Sequence, residues 1–100
     1  MDETKRNYEL VFIAAPQLDD EGQAKLTERV TGWITAAGGE LARTNVWGRR
    51  KLAYAIKKQV EGIYVQLDFQ LKPSATRELE RNLRIEENVL RHMLVRLDED

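Results

Sequence analysis

The chain contains no cysteine, one histidine (His92), one serine (Ser74) and two prolines. Without thiols there can be no disulfide, no thiolate metal ligand and no cysteine nucleophile. A lone histidine reads as a packed or surface residue, because acid–base work needs a partner that orients the ring. Ser74 follows Pro73 at a helix start, where hydroxyls serve the backbone. No stretch approaches the ~20 apolar residues of a membrane helix, and the best run, 10–15, has the length of a buried strand. The opening Met1-Asp2-Glu3-Thr4-Lys5-Arg6 begins acidic and is followed by no apolar h-region, unlike a secretory signal. These absences point to a cytoplasmic protein with no cofactor, no metal, no membrane partner and no small-molecule substrate.

What is present is charge. Hydrophobic residues make up 42% of the chain and charged ones 33%, the balance of a small, heavily solvated folded domain. One hundred residues suit a single domain over 1–100, with a core at about 6–97 and an acidic tail at 98–100. The formal net charge is −1, yet the charge is not evenly spread. Residues 41–60 hold six cations (Arg43, Arg49, Arg50, Lys51, Lys57, Lys58) and no acid. The other eighty residues therefore sum to −7, since +6 and −7 give −1. Binding follows the local field rather than the total, so such a patch is a candidate polyphosphate site.

Hydrophobic spacing gives the order of elements. Residues 8–14 read as a strand apolar on both faces: Tyr8, Leu10 and Phe12 on one, Val11 and Ile13 on the other. Pro16 ends it. Asp20 with Gln23 suggests a capping box for a helix to about Ala37, whose buried stripe is Leu26, Val30, Trp33, Ile34 and Ala37. Gly38-Gly39 stops that helix. A strand begins at Glu40, is broken by a bulge at Gly48 and resumes with Leu52, Tyr54 and Ile56 on one face. Residues 57–62 read as a turn. Ile63, Val65, Leu67, Phe69 and Leu71 then alternate with polar neighbours in the clearest strand of the chain. Pro73 can open a second helix carrying Ala75, Leu79 and Leu83. Glu86-Glu87-Asn88 breaks it, and 89–97 forms a last strand of ambiguous parity.

Strand, helix, strand, strand, helix, strand is the split βαβ, ferredoxin-like α+β arrangement: a four-stranded antiparallel sheet with two helices on one face. The first and third strands then lie centrally and the second is an edge. Acylphosphatases share this strand order, but at the position of their glycine- and arginine-bearing phosphate loop this chain has Ala14-Ala15-Pro16-Gln17. Asp19-Asp20-Glu21 fits a helix N-terminus, whose dipole favours acids, without invoking a metal. Enzymatic activity is not expected. RNA binding on the open sheet is also disfavoured, since Tyr64, Gln66, Asp68 and Gln70 make a poor stacking platform.

The basic strand is the better nucleic-acid surface. Arg49, Arg50 and Lys51 flank the bulge, and Lys57-Lys58 lie ~20 Å further along an unbroken strand. Trp47 and Tyr54 interleave aromatic area, and guanidinium groups offer forked donors to phosphates and flat surfaces to unstacked bases. Lysines and arginines on an edge strand also prevent sheet-to-sheet aggregation, but six cations without an acid are more one-sided than that requires. A second surface follows from the first strand. Either Val11 and Ile13 or Leu10 and Phe12 must face away from the helices, and an uncovered apolar sheet face usually marks a protein partner. The alternative to an RNA-binding protein is therefore a generic ferredoxin-like interaction module that binds no RNA.

Four stretches in order resemble the bacterial small-subunit ribosomal protein six family along nearly the whole chain. They are Tyr8-Glu9-Leu10-Val11-Phe12-Ile13 with Pro16, Gly48-Arg49-Arg50-Lys51-Leu52-Ala53-Tyr54 through Ile56-Lys57-Lys58, Gly62-Ile63-Tyr64, and Leu83-Arg84-Ile85 through Asn88-Val89-Leu90-Arg91. Ala55 departs from the family, which often has proline there. The resemblance implies a structural constituent of the small ribosomal subunit with no enzymatic activity. It also implies binding to small-subunit ribosomal RNA together with small-subunit ribosomal protein eighteen. On that basis Arg49, Arg50, Lys51, Tyr54, Lys57, Lys58, Arg84 and Arg91 are expected to meet RNA. Tyr8, Val11, Ile13, Tyr64 and Asn88 are expected to meet the partner.

Overall fold

A computed structural model describes residues 4–97, so the acidic tail at 98–100 lies outside the described residues. The first strand, β1 (Arg6–Ala14), is followed by helix α1 (Asp20–Ala36). A long hairpin of β2 (Glu40–Ile56) and β3 (Gln59–Leu71) comes next. A short 3₁₀ turn (Pro73–Ala75) leads into α2 (Thr76–Ile85), and β4 (Val89–Arg96) closes the sheet. The strand order is β2-β3-β1-β4, with every pairing antiparallel. This is the expected split βαβ arrangement, with the two most apolar strands in the middle.

Strand alternation decides which side chains meet the helices. Tyr8, Leu10, Phe12 and Ala14 of β1 and Ile63, Val65, Leu67, Phe69 and Leu71 of β3 all point to the helical layer. There they pack against Leu26, Val30 and Ile34 of α1 and Leu79 and Leu83 of α2. The helical residues are four positions apart and so form one stripe on each helix. Full burial of one such aliphatic side chain is worth ~1.5–3 kcal/mol, so truncating Leu83, which has no exposed surface, would cost ~2–5 kcal/mol. The parity of β4 is settled by register. Phe12 faces His92 and Leu10 faces Leu94 on the helix side, while Ile13 faces Arg91 and Val11 faces Met93 on the open side.

Three local expectations need correction. The cap of α1 is Asp19, one residue before the expected Asp20: its carboxylate accepts the Gly22 N–H at 2.7 Å. Asp20 and Glu21 instead occupy the first turn, where their charges favour the helix dipole. The turn between β2 and β3 is not 57–62 but the two residues Lys57 and Lys58, both left-handed at φ 50° and 68°. Positive φ at both central positions is the geometry of a type I′ hairpin turn, which twists with its strands. Finally, Tyr8 is 6% exposed and stacks on Phe69 with ring centroids 5.9 Å apart. It belongs to the core with Leu10 and Phe12, not to a partner surface.

The last residue pair joining β1 to β3 is Ala14 with Ile63. Beyond it, Gln59 to Gly62 of β3 pair with β2 alone. The hairpin thus runs past the body of the sheet, consistent with extents of 44 × 26 × 22 Å. This arm carries the basic segment.

Candidate RNA and partner interface

Of three breaks in the β2 register, the two nearer the hairpin turn shape the arm. One lies between Val46 and Gly48, where Gly48 has φ +96°, a conformation L side chains rarely adopt. This is the expected bulge, and it turns Trp47 onto the open face of the sheet. There the Trp47 ring stacks on Tyr64 at 5.9 Å and 3° between planes, and its indole N–H donates to Gln66 Oε1 at 3.1 Å. Arg50 lies over the indole, its guanidinium carbon 5.3 Å from the ring centroid, inside the ~6 Å range of cation–π attraction.

The other break falls between Lys51–Glu61 and Ile56–Gln59, so that residues 52–55 of β2 have only Val60 opposite them. The surplus backbone swings over the open face towards β4 on the far edge of the sheet. The Tyr54 hydroxyl there accepts a hydrogen bond from Arg91, and the Lys57 ammonium donates to the Val89 carbonyl at 3.4 Å. The same excursion shortens the basic segment. Arg50 pairs with Gly62 and Ile56 with Gln59, three residues apart on β3, or ~10 Å at the usual rise. The two cationic clusters are closer than the ~20 Å an unbroken strand gives.

The cations differ in what they are free to do. Arg43 is held by Asp68 at 3.2 Å, so its charge is answered within the sheet. Arg49, paired with Ile63, lies on the opposite side from Arg50 and donates to the Pro16 carbonyl at 2.7 Å. That bond ties the arm to the β1–α1 loop and leaves the positive charge uncompensated. Arg49, Arg50, Lys51, Lys57 and Lys58 make no ion pair with a carboxylate among the described residues. Five of the six cations of 41–60 therefore present net positive charge on one arm, displayed on both of its sides. Lys51 does have Glu61 opposite it in register, which moderates the field at that point.

Beneath the excursion lies a groove with space of about 300 Å³, floored by Val11, Ile13 and Tyr64 and walled by Leu52, Ile56 and Met93. Val11 and Ile13 are thus the outward pair of β1, which resolves the alternative left open by the sequence. Met93 is 60% exposed on this face, and Val95 extends the apolar strip along β4. Gly62 sits beside the end of β1: a Cβ there would meet Ile13 Cγ2 at 2.2 Å, so a side chain is excluded by contact rather than by dihedral angle.

The other expected site residues scatter more widely. Arg91 is on the open face beside the groove. Asn88 lies in the turn before β4, where its carbonyl receives the Ala15 N–H at 2.8 Å, next to the Val89 carbonyl that Lys57 reaches. Arg84 is exposed in the last turn of α2, in the helical layer, where a cation favours the helix C-terminus. His92 is on the helix side, 3.1 Å from Glu80 of α2. Trp47, which the sequence placed on the basic segment, is found there; residues the sequence did not nominate are Gln66, Leu52, Ile56 and Met93. The bulge turns Trp47 onto the open face, where strand alternation already sets Gln66, and Met93 follows from the β4 register.

A family model described as Ribosomal protein S6 matches residues 7–96. Small ribosomal subunit protein bS6 of Moorella thermoacetica is 40% identical, over 95% of this chain and 97% of its own. The protein of the same name from Carboxydothermus hydrogenoformans is 43% identical, over 93% and 97%. The crystal structure of 30S ribosomal protein S6 from Thermotoga maritima superposes with a TM-score of 0.87 at 34% identity, over 93% of this chain and 88% of that one. The C-terminal domain of MgtC from Mycobacterium tuberculosis, at TM-score 0.66 and 12% identity, shares the fold alone. Together with the split βαβ sheet and the cationic arm, these likenesses show that the chain belongs to the ribosomal protein S6 family, a structural, non-enzymatic component of the small ribosomal subunit.

Proposed function

We propose that this chain binds small-subunit ribosomal RNA through the β2–β3 arm and small-subunit ribosomal protein eighteen through the apolar groove beside it. The observation that carries this reading is the pairing of the two surfaces: five cations on one arm without carboxylate partners among the described residues, and an apolar groove formed by that same arm. The acidic remainder of the chain repels polyphosphate elsewhere, so docking is confined to the arm. Cations neutralise phosphates, release counterions and fix the register of the RNA without reading its bases. The arm is pre-positioned by the Arg49 bond to Pro16 and the Tyr54–Arg91 and Lys57–Val89 bonds, so less ordering entropy is lost on binding. A net-acidic chain with one patch binds RNA weakly by itself, and the second protein adds area and effective concentration.

The test is a titration of small-subunit junction RNA and of protein eighteen, separately and together, with wild type and Met93→Glu. A carboxylate buried unpaired in an apolar interface costs well over 1.4 kcal/mol, so affinity for protein eighteen should fall at least ~10-fold. RNA binding by the variant alone should be unaffected beyond one charge. Wild-type affinity of Met93→Glu for protein eighteen removes the groove from the interface. A chain that binds protein eighteen with no salt-sensitive RNA component is a plain interaction module.

A further inference from the structure

The open face carries an arrangement that charge alone does not explain. Tyr64 supports the Trp47 ring, Gln66 holds its N–H, and Arg50 lies over that ring. The indole thus has a stacking, a hydrogen-bonding and a cationic partner, yet Trp47 remains 38% exposed. The tier ends in a guanidinium with no carboxylate partner among the described residues. We propose that Trp47 is a positioning residue that presents Arg50 so that its outward guanidinium face stacks an unpaired base of RNA. This rests on the reading of the arm as the RNA surface and adds a base contact to it.

The chemistry favours a base over a phosphate alone. A phosphate is attracted by any cation, and Lys51, Lys57 and Lys58 already supply mobile ammonium groups for it. A planar guanidinium restrained from beneath by an aromatic ring is the arrangement that takes a flat, unstacked base, since each layer offers a π or planar surface to the next. The sequence gives Arg50 two features that Lys51 lacks. It shares the open face with Tyr64, because Gly62 opposite it and Gly48 opposite Tyr64 leave that face uncovered. The bulge then brings Trp47 under it. Arg49, tied to Pro16 on the other side of the arm, cannot take this place.

The experiment uses the full chain with protein eighteen and junction RNA carrying 2-aminopurine at each unpaired position in turn. Fluorescence of 2-aminopurine is quenched on stacking. Wild type should quench at least one position. Arg50→Lys keeps the charge but loses the plane, and Trp47→Leu keeps Arg50 but removes its support. Each should abolish that quench and lower RNA affinity ~5- to 100-fold, the range of one base–aromatic stack, with the salt slope unchanged. Arg50 is exposed, so Arg50→Lys tests the idea even where Trp47→Leu perturbs the fold, which thermal unfolding reports. Retention of both quench and affinity in Arg50→Lys overturns the stack, as does weakened binding to protein eighteen without RNA and no change in quench. If the variant with Arg49, Arg50 and Lys51 all changed to Ala binds RNA as wild type does, the arm itself is not the RNA surface. If that triple variant fails while Arg50→Lys and Trp47→Leu behave as wild type, the arm stands and only the stack is rejected.

Discussion

The close approach of Gly62 to Ile13 of β1 predicts a specific packing penalty. A Cβ at position 62 would lie 2.2 Å from Ile13 Cγ2 and 3.3 Å from the Ala14 carbonyl, against ~3.5–4.0 Å for an unstrained carbon contact. One partner must therefore retreat by more than 1 Å. Ile13 is 8% exposed, and the clashing methyl branches directly from its Cβ, where the χ1 preference is stiff. The offending atom cannot swing aside as the end of a lysine would. Overpacking of this kind costs ~1–3 kcal/mol, which for a domain of this size is a fall of ~4–24 °C in Tm. Thermal and chemical unfolding of Gly62→Ala would measure it. A double-mutant cycle sharpens the test, because Ile13→Ala deletes the clashing methyl. In that background Gly62→Ala should cost at least ~1 kcal/mol less than in wild type. A cost under ~0.5 kcal/mol, or the same cost in both backgrounds, would refute the argument from contact.

Two further perturbations separate stability from function. Asp19→Ala removes the oxygen that accepts the Gly22 N–H at 2.7 Å and should cost ~0.5–2 kcal/mol in chemical unfolding, whereas Asp20→Ala should cost less because Asp20 caps nothing. Changing Lys58→Gly suits the left-handed turn position at φ 68°, leaves the Lys57 bond to Val89 intact and should stabilise the fold by ~1 kcal/mol. The change removes one cation, so RNA affinity should fall while Tm rises; a parallel change in both would show that Lys58 acts only through the fold.

The sheet was legible because its central strands are written in strict alternation. Ile63, Val65, Leu67, Phe69 and Leu71 could face only one way, and their burial follows from period two alone. Gly48 was legible as a bulge because it interrupts a strand that resumes beyond it. The turn at Lys57-Lys58 was not, since lysine carries no signal for positive φ and the neighbouring Gly62 drew the turn towards itself. In the event Gly62 serves a close approach to Ile13. The placement of Tyr8 on the partner surface ran against the strand's own parity, which sets it beside Leu10 and Phe12. The candidate site was only half visible. Its cations are written in composition, whereas the meeting of Tyr54 with Arg91 depends on four residues leaving the ladder, a long-range event that no local pattern encodes.

The central claim is that uncompensated positive charge on the arm is what holds RNA, and salt dependence measures it most directly. With protein eighteen present, the affinity of junction RNA should be followed across salt for wild type and for the Arg49→Ala, Arg50→Ala, Lys51→Ala triple variant. Five phosphate contacts on duplex RNA predict a log–log slope near −4.5, at ~0.9 per contact, and the triple variant should reduce its magnitude by ~2.7 as affinity drops. A triple variant that keeps the wild-type slope and affinity would contradict the account.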